Sequence, residues 1–258
     1  MNPLRRKSFT RLLPSLGPWL AGSAIAAAIV ILGPFPAVAD GELPAATSSQ
    51  TAFPAPDPER VERWDARYRG DARPSWDTGR PSTELQRMVE QGILQPGRVV
   101  ELGCGTGVNA VYLASQGFDV TAIDLSPTAL ETARKRAEEA GVTVNWIQAD
   151  VLNPPALGSF DLIFDRGCYH GVRRIDAAGY VRTVKSFIRP GGNVLIIAGN
   201  ANQPEPHSGP PRVTETELVS DFAEAFDFVH LREIRFDTAN PDVPGAWAWS
   251  MLLRRKAQ

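Results

Sequence analysis

The chain has 258 residues, 43% of them hydrophobic and 22% charged, which is enough apolar side chain for one α/β domain with sequence to spare. Four of the 27 basic residues, Arg5, Arg6, Lys7 and Arg11, lie at the N-terminus; without them the 29 acidic residues leave the rest near −6, which disfavours nucleic acid as a partner. The two cysteines and three histidines have no metal-ligand spacing, so neither a metal nor a haem is expected.

Residues 12–39 carry no charge and are most apolar over 19–32. Ala37-Val38-Ala39 precedes Asp40 as a small-residue cleavage site would, so residues 1–39 are expected to be a signal peptide or an uncleaved membrane anchor. The Arg5-Arg6 pair loosely resembles a twin-arginine signal. Basic residues before the apolar stretch keep that end cytoplasmic, which places the domain exported or membrane-anchored. Residues 40–56, rich in Pro, Ala, Ser and Thr without a period, form a flexible linker, and residues 57–258 form the domain.

Asp57-Pro58-Glu59 starts a helix with Val61, Trp64 and Tyr68 on one face and Gly70 at its end. After Pro74-Ser75-Trp76-Asp77-Thr78-Gly79-Arg80-Pro81, the residues Leu85, Met88 and Val89 mark a second, short amphipathic helix. Residues 99–107, Val-Val-Glu-Leu-Gly-Cys-Gly-Thr-Gly, then read as strand, tight turn and helix N-terminus, with Gly103, Gly105 and Gly107 allowing close approach of a ligand. This is a nucleotide-cofactor turn, and Gly105-x-Gly107-x-x-Ala110 also fits the loose dinucleotide fingerprint.

Helix 108–116 ends at Gly117, and strand 118–123 closes on Asp124, at the offset where an acidic side chain reaches ribose hydroxyls. Ser126-Pro127 opens the next helix, with Leu130, Ala133 and Ala137 inward, Glu131–Lys135 and Lys135–Glu139 paired outside, and Gly141 as the stop. Strand 142–148 leads to Asp150. Strand 160–164 ends in Asp165-Arg166-Gly167-Cys168-Tyr169-His170, beside the topological switch point, where chemistry sits in open α/β sheets. A helix over 176–187, Arg189-Pro190-Gly191-Gly192 and a fifth strand over 193–198 follow. The irregular stretch 199–211 is long enough to expect a functional loop. A helix over 215–226 and an antiparallel strand pair, 228–236 and 246–254, complete the chain. Cys104 and Cys168 follow neighbouring strands and are expected as free thiols, because a bridge would clamp the glycine turn.

Glu101-x-Gly103-x-Gly105-x-Gly107 resembles motif I of class I S-adenosylmethionine-dependent methyltransferases. Trp64-x-x-x-Tyr68-x-Gly70 with Trp76-Asp77-x-Gly79-Arg80 resembles the N-terminal cofactor lid of the thiol, halide and thiopurine methyltransferase group; Tyr68 stands where Trp is common there and keeps a ring for a sulfonium cation. His207-Ser208-Gly209-Pro210-Pro211-Arg212-Val213-Thr214 resembles the His-x-Gly-Pro-Pro-x-Val-Ser stretch of thiol and halide methyltransferases, and Asp165-Arg166-Gly167 is similar to the thiopurine branch. An Asn/Asp-Pro-Pro-Tyr signature is missing, which disfavours nucleobase or glutamine N-methylation.

The resemblance implies a Rossmann-like fold, with a seven-stranded, mostly parallel sheet, an antiparallel last strand and helices on both faces. It implies S-adenosyl-L-methionine as cofactor, held by Glu101, Gly103, Cys104, Gly105, Gly107, Asp124, Leu125, Asp150, Val151 and Asp165, with Asp150 accepting from the adenine amino group, and covered by Trp64, Tyr68 and Trp76. Asp165, Arg166, Tyr169, His170 and His207 are the candidates for the reacting face. The reaction implied is methylation of a small-molecule nucleophile, a thiol or thiolate, a halide or a chalcogen anion, by a monomer that meets a membrane only through an uncleaved N-terminal segment. Small-molecule O-methylation and a non-catalytic exported protein are the alternatives, the latter motivated by the conflict between an exported domain and a donor made in the cytoplasm.

Overall fold

The computed structural model describes residues 55–70, 72–204 and 209–257; the N-terminal segment with most of the linker, and His207, lie outside the described residues. Among the described residues no helix is long and apolar enough to cross a membrane. The strands are β1 (Arg98–Leu102), β2 (Asp119–Asp124), β3 (Asn145–Gln148), β4 (Phe160–Arg166), β5 (Ile188–Asn200), β6 (Arg212–Val213), β7 (Phe226–Arg235) and β8 (Trp247–Arg255). They form one sheet in the order β3-β2-β1-β4-β5-β8-β7, with β6 paired to β5. β8 runs antiparallel between β5 and β7, and the remaining pairs are parallel. This is the expected class I arrangement with one addition. The two-residue β6 pairs with Gly199 and Asn200, so β5 runs two residues into the stretch expected to be irregular.

The helices are α1 (Pro58–Asp65), α2 (Thr83–Glu90), α3 (Val108–Ser115), α4 (Pro127–Glu139), α5 (Tyr169–Phe187) and α6 (Glu215–Phe222). Successive strand residues point to opposite faces, and each face has its own core. Val100, Ile163 and Ile196 belong to one buried cluster, with Tyr180 and Phe187 of α5 and Phe222 of α6. Val99, Phe164 and Ile197 belong to the other, with Leu85 of α2, Leu113 of α3 and Leu130 of α4. Apolar runs in the central strands therefore mean burial on both sides.

Leu102 of β1 is paired with Ile123 of β2 and with Asp165 of β4. That register brings Gly103, Asp124 and Arg166 out at one edge of the sheet, where the chain order reverses on either side of β1 and a ligand crevice forms.

Several element boundaries differ from expectation: α1 ends at Asp65 rather than at Gly70, β3 begins at Asn145 rather than at 142, and β5 begins at Ile188 rather than at 193. α5 and α6 differ too. α5 starts at Tyr169 because the Asp165 carboxylate accepts the amides of Cys168 at 3.0 Å and Tyr169 at 2.9 Å. It is kinked at Asp176, whose backbone is non-helical and whose carboxylate accepts from Gly179 N at 2.7 Å, so the helix expected over 176–187 is its second half. α6 stops at Phe222, and Phe226 already opens β7, paired with Arg255 of β8.

Candidate active site

The glycine turn and two carboxylates build the floor of a cavity of about 850 Å³. Gly103 has φ 69°, and a Cβ there would lie 2.6 Å from Cys168 Cβ, so the position excludes a side chain on both counts. Asp124, buried at the end of β2, accepts from Gly105 N at 2.7 Å and from Ser126 N at 2.9 Å; it thereby locks the turn while lining the cavity. Burial raises its pKa, and the amides of Ser126 and Gly105 oppose that rise.

Glu101 is 1% exposed. Its Oε1 accepts from Asn109 Nδ2 at 3.1 Å, and Oε2 has no partner. Burial lifts its carboxyl to about 8. A buried acceptor left unpaired at the cavity wall fits a ligand that brings a donor or a positive charge. Leu125 and Cys104 line the same cavity, and both cysteines are free thiols, as expected.

α1 and the segment after it form the lid. Asp57 caps α1 through Glu59 N at 2.9 Å, and Asp65 docks the helix on α4 by accepting from Ser126 Oγ at 2.6 Å and Thr128 N at 2.9 Å. Trp64 and Tyr68 pack edge-on against Trp76 with ring centroids 6.2 and 6.3 Å apart, and Trp76 Nε1 donates to the Tyr68 hydroxyl at 3.1 Å. All three rings line the cavity, Trp76 remaining 38% exposed. Thr106 in the glycine turn donates its hydroxyl to Asp77 Oδ2 at 2.9 Å, which ties the lid to the floor.

The remaining wall comes from β4, α5 and the connection after β7. Arg166 donates to the carbonyls of Trp76 at 3.1 Å and Asp237 at 3.3 Å, lies 5.4 Å from the Phe236 ring centroid, and has its pKa lowered by burial. Arg80 donates to Thr238 O at 2.9 Å. Asp237 accepts the Thr83 hydroxyl at 2.6 Å. His170 lines the wall with Nδ1 accepting from Gly199 N at 3.0 Å, and burial with the nearby Arg166 charge lowers its pKa to about 4.

Five of the expected site residues lie off the cavity. Asp165 is fully buried, holding the start of α5 and the Tyr180 hydroxyl at 2.6 Å; burial raises its pKa to about 7. Tyr169 is also fully buried and donates to Asp221 Oδ2 at 2.6 Å. Asp150 is taken by the Arg60 guanidinium and by Leu152 N, and Val151 beside it belongs to the core. Gly107 is required for packing instead, since a Cβ there would meet Trp146 at 2.5 Å and Ala133 at 2.7 Å.

The sequence reading also missed residues. Asn109 orients Glu101 and accepts from Ser82 N at 2.9 Å, and Phe236 and Asp237 close the wall from a segment far along the chain. Asn109, as a polar residue in the first turn after the glycines, was the one with a local signal. Arg67, 5.7 and 5.6 Å from the Trp64 and Trp76 ring centroids, had none.

A doubly wound sheet with this strand order, a glycine turn between two acidic strand ends and an aromatic lid define a class I S-adenosylmethionine-dependent methyltransferase. The chain belongs to that family, as its relatives show, and the family model described as a methyltransferase domain matches residues 99–192. It is 32% identical over 166 residues to the 2-heptyl-1-hydroxyquinolin-4(1H)-one methyltransferase of Mycobacteroides abscessus, covering 61% of this chain and 73% of that one. It is 30% identical over 165 residues to a probable thiol methyltransferase 2 of Arabidopsis thaliana, covering 60% and 70%. Among solved structures, it matches one from work on conversion of a disulfide bond into a thioacetal group during echinomycin biosynthesis, with TM-score 0.67, 28% identity and coverage of 76% and 93%. The N-methyltransferase NodS of Bradyrhizobium japonicum, solved with S-adenosyl-L-homocysteine, shares the fold at TM-score 0.57 and 19% identity, covering 77% and 98%. The protein is therefore an S-adenosylmethionine-dependent methyltransferase, and the non-catalytic alternative falls away.

Proposed function

We propose that the enzyme methylates a small organic nucleophile that arrives already ionised, an organic thiol before others. One observation carries this reading: the wall opposite the glycine turn offers donors and aromatic faces, and no unoccupied base among the described residues. Arg166 is a cation, the Nδ1 of His170 is spent on Gly199, and Asp237 is engaged both by Thr83 and by the Arg166 guanidinium, 3.8 Å away. A thiol with pKa about 8.5 supplies thiolate near neutral pH, and a guanidinium nearby increases the fraction.

The residues fit the cofactor. Glu101 offers its unpaired oxygen to a cationic or donor group, Asp124 retains lone pairs for hydroxyls, and Trp64, Tyr68 and Trp76 present rings to a sulfonium. When bound, the cofactor supplies an electrophilic methyl group on a cationic sulfur. The chain's part is alignment and exclusion of water beneath the lid. A cavity of about 850 Å³ lies toward the top of the usual ~300–1,000 Å³ for small-molecule sites, which suits cofactor plus an organic acceptor better than a halide or a chalcogen anion.

A second reading, an acidic hydroxyl as acceptor, draws on the Mycobacteroides abscessus relative, named for a 1-hydroxyquinolin-4-one. The same baseless, donor-lined wall suits it. The test is formation of S-adenosylhomocysteine by the full chain with aromatic thiols, acidic phenols, unactivated alcohols and iodide. Turnover of thiols at least a hundredfold faster than iodide or alcohols supports the proposal; faster turnover of iodide or an unactivated alcohol overturns it.

A further inference from the structure

His170 stands at the start of α5 with its ring in the cavity wall, 6.1 Å from the Phe236 ring centroid in edge-on contact. Its Nδ1 accepts the Gly199 amide at 3.0 Å. A backbone amide only donates, so Nδ1 carries the lone pair and the neutral ring has its proton on Nε2. Nε2 bonds to no described residue. The charged groups around this wall are Arg166 from β4, paired at 3.8 Å with Asp237 after β7, Arg80 from the segment before α2, and Arg174 one turn further along α5. Burial and the Arg166 charge both oppose protonation, so the ring stays neutral well below physiological pH.

We infer that His170 is a fixed hydrogen-bond donor to the ionised atom of the acceptor, and that with Arg166 it makes the enzyme select acceptors by their acidity. This rests on the proposed acceptor class and assigns the residue a role opposite to that of a base. The acceptor enters as its anion, its proton left in solvent. Its heteroatom then forms the bond to the methyl carbon as the carbon–sulfur bond of the donor breaks and the bonding pair returns to sulfur, so anion and cation become two uncharged groups. His170 neither gains nor loses a proton in this sequence. A donor pinned from behind by β5 holds the anion in place and favours it over the neutral acid, because a charged acceptor makes the stronger hydrogen bond and faces the Arg166 cation. Acceptors acidic enough to ionise against that wall enter, and ordinary alcohols do not.

The test uses the full chain saturated with S-adenosylhomocysteine and the chromophoric thiol 7-mercapto-4-methylcoumarin, whose thiolate band is followed against pH. The bound thiol should titrate about one unit lower than the free thiol, a tenfold gain in acidity. His170→Phe should return the midpoint toward the free value, and His170→Gln, which keeps an N–H donor, should retain most of the shift. Calorimetric titration with S-adenosylhomocysteine checks that each variant is folded. An unchanged midpoint in His170→Phe overturns the inference, as does a folded His170→Gln as impaired as His170→Phe. Independently of any acceptor, long-range proton–nitrogen NMR of the wild type at neutral pH should show a neutral ring protonated on Nε2. A ring protonated on Nδ1, or charged, overturns the inference. If no thiol binds while the ring shows the expected state, the acceptor class fails and the donor assignment stands.

Discussion

Thr106 donates its hydroxyl to Asp77 Oδ2 at 2.9 Å, and through that bond the glycine turn after β1 holds the segment that carries Trp76. Asp77 Oδ1 meanwhile accepts from Gly79 N at 3.0 Å, so the lid's own turn and its attachment to the floor share one carboxylate. Thr106→Val removes the bond at nearly constant volume. Donor affinity measured by calorimetry should fall roughly three- to tenfold, as expected for one hydrogen bond, with little change in Tm.

Glu101 predicts a proton release. Its buried carboxyl, lifted to about 8, is protonated near neutral pH, and a cationic group at Oε2 favours the ionised form. Binding of S-adenosylmethionine at neutral pH should therefore expel about one proton, read as a dependence of binding heat on buffer ionisation enthalpy. Because the free carboxyl is the raised one, affinity should climb with pH up to about 8 and then level. Glu101→Gln should abolish both effects.

Asp150 gives a prediction opposite to the role its position in the sequence suggests. Its carboxylate is held by Arg60 and sits off the cavity, so removing Arg60 leaves a mostly buried charge alone. Arg60→Ala should cost about 3–5 kcal/mol in chemical denaturation. Asp150→Asn should lower Tm while leaving unchanged the ratio of affinities for S-adenosylhomocysteine and its deaminated analogue, S-inosylhomocysteine. A ratio that collapses would return Asp150 to the adenine site.

Arg166 spans two carbonyls, those of Trp76 and Asp237, with two nitrogens of one planar fork. Arg166→Met should raise the acceptor KM by about tenfold or more through loss of both bonds and the cation. Arg166→Lys should rescue it poorly, since a single ammonium cannot span the fork. Steady-state kinetics with a thiol acceptor decides this.

What the sequence made legible was local. The strand–glycine–helix unit, the acidic ends of β1 and β2 and the caps at Asp57 and Ser126 depend on residues a few positions apart, and Glu101 and Asp124 are found at the cavity as expected. Asp165 and Arg166 show where that kind of reading stops. Adjacent strand residues face opposite ways, so one enters the cavity wall and the other the core beneath α5, and spacing alone does not say which. The place of Asp150 off the cavity was not legible because its partner, Arg60, is brought by a helix ninety residues earlier. Phe236 and Asp237 were missed because their place depends on how β7 and β8 pair, a long-range fact with no signature of its own.

Trp76 and Asp77 adjoin both halves of the cavity, one bonded to the glycine turn through Thr106 and the other to the opposite wall through Arg166. The lid is thus fastened on both sides of the cavity by few bonds. Spent donor and methylated product are expected to leave by unfastening them, and turnover is expected to be paced by that opening rather than by the displacement beneath it. Thiols of different reactivity that all enter as anions would then converge on one ceiling rate at saturation, and a burst of product in the first turnover would reveal it.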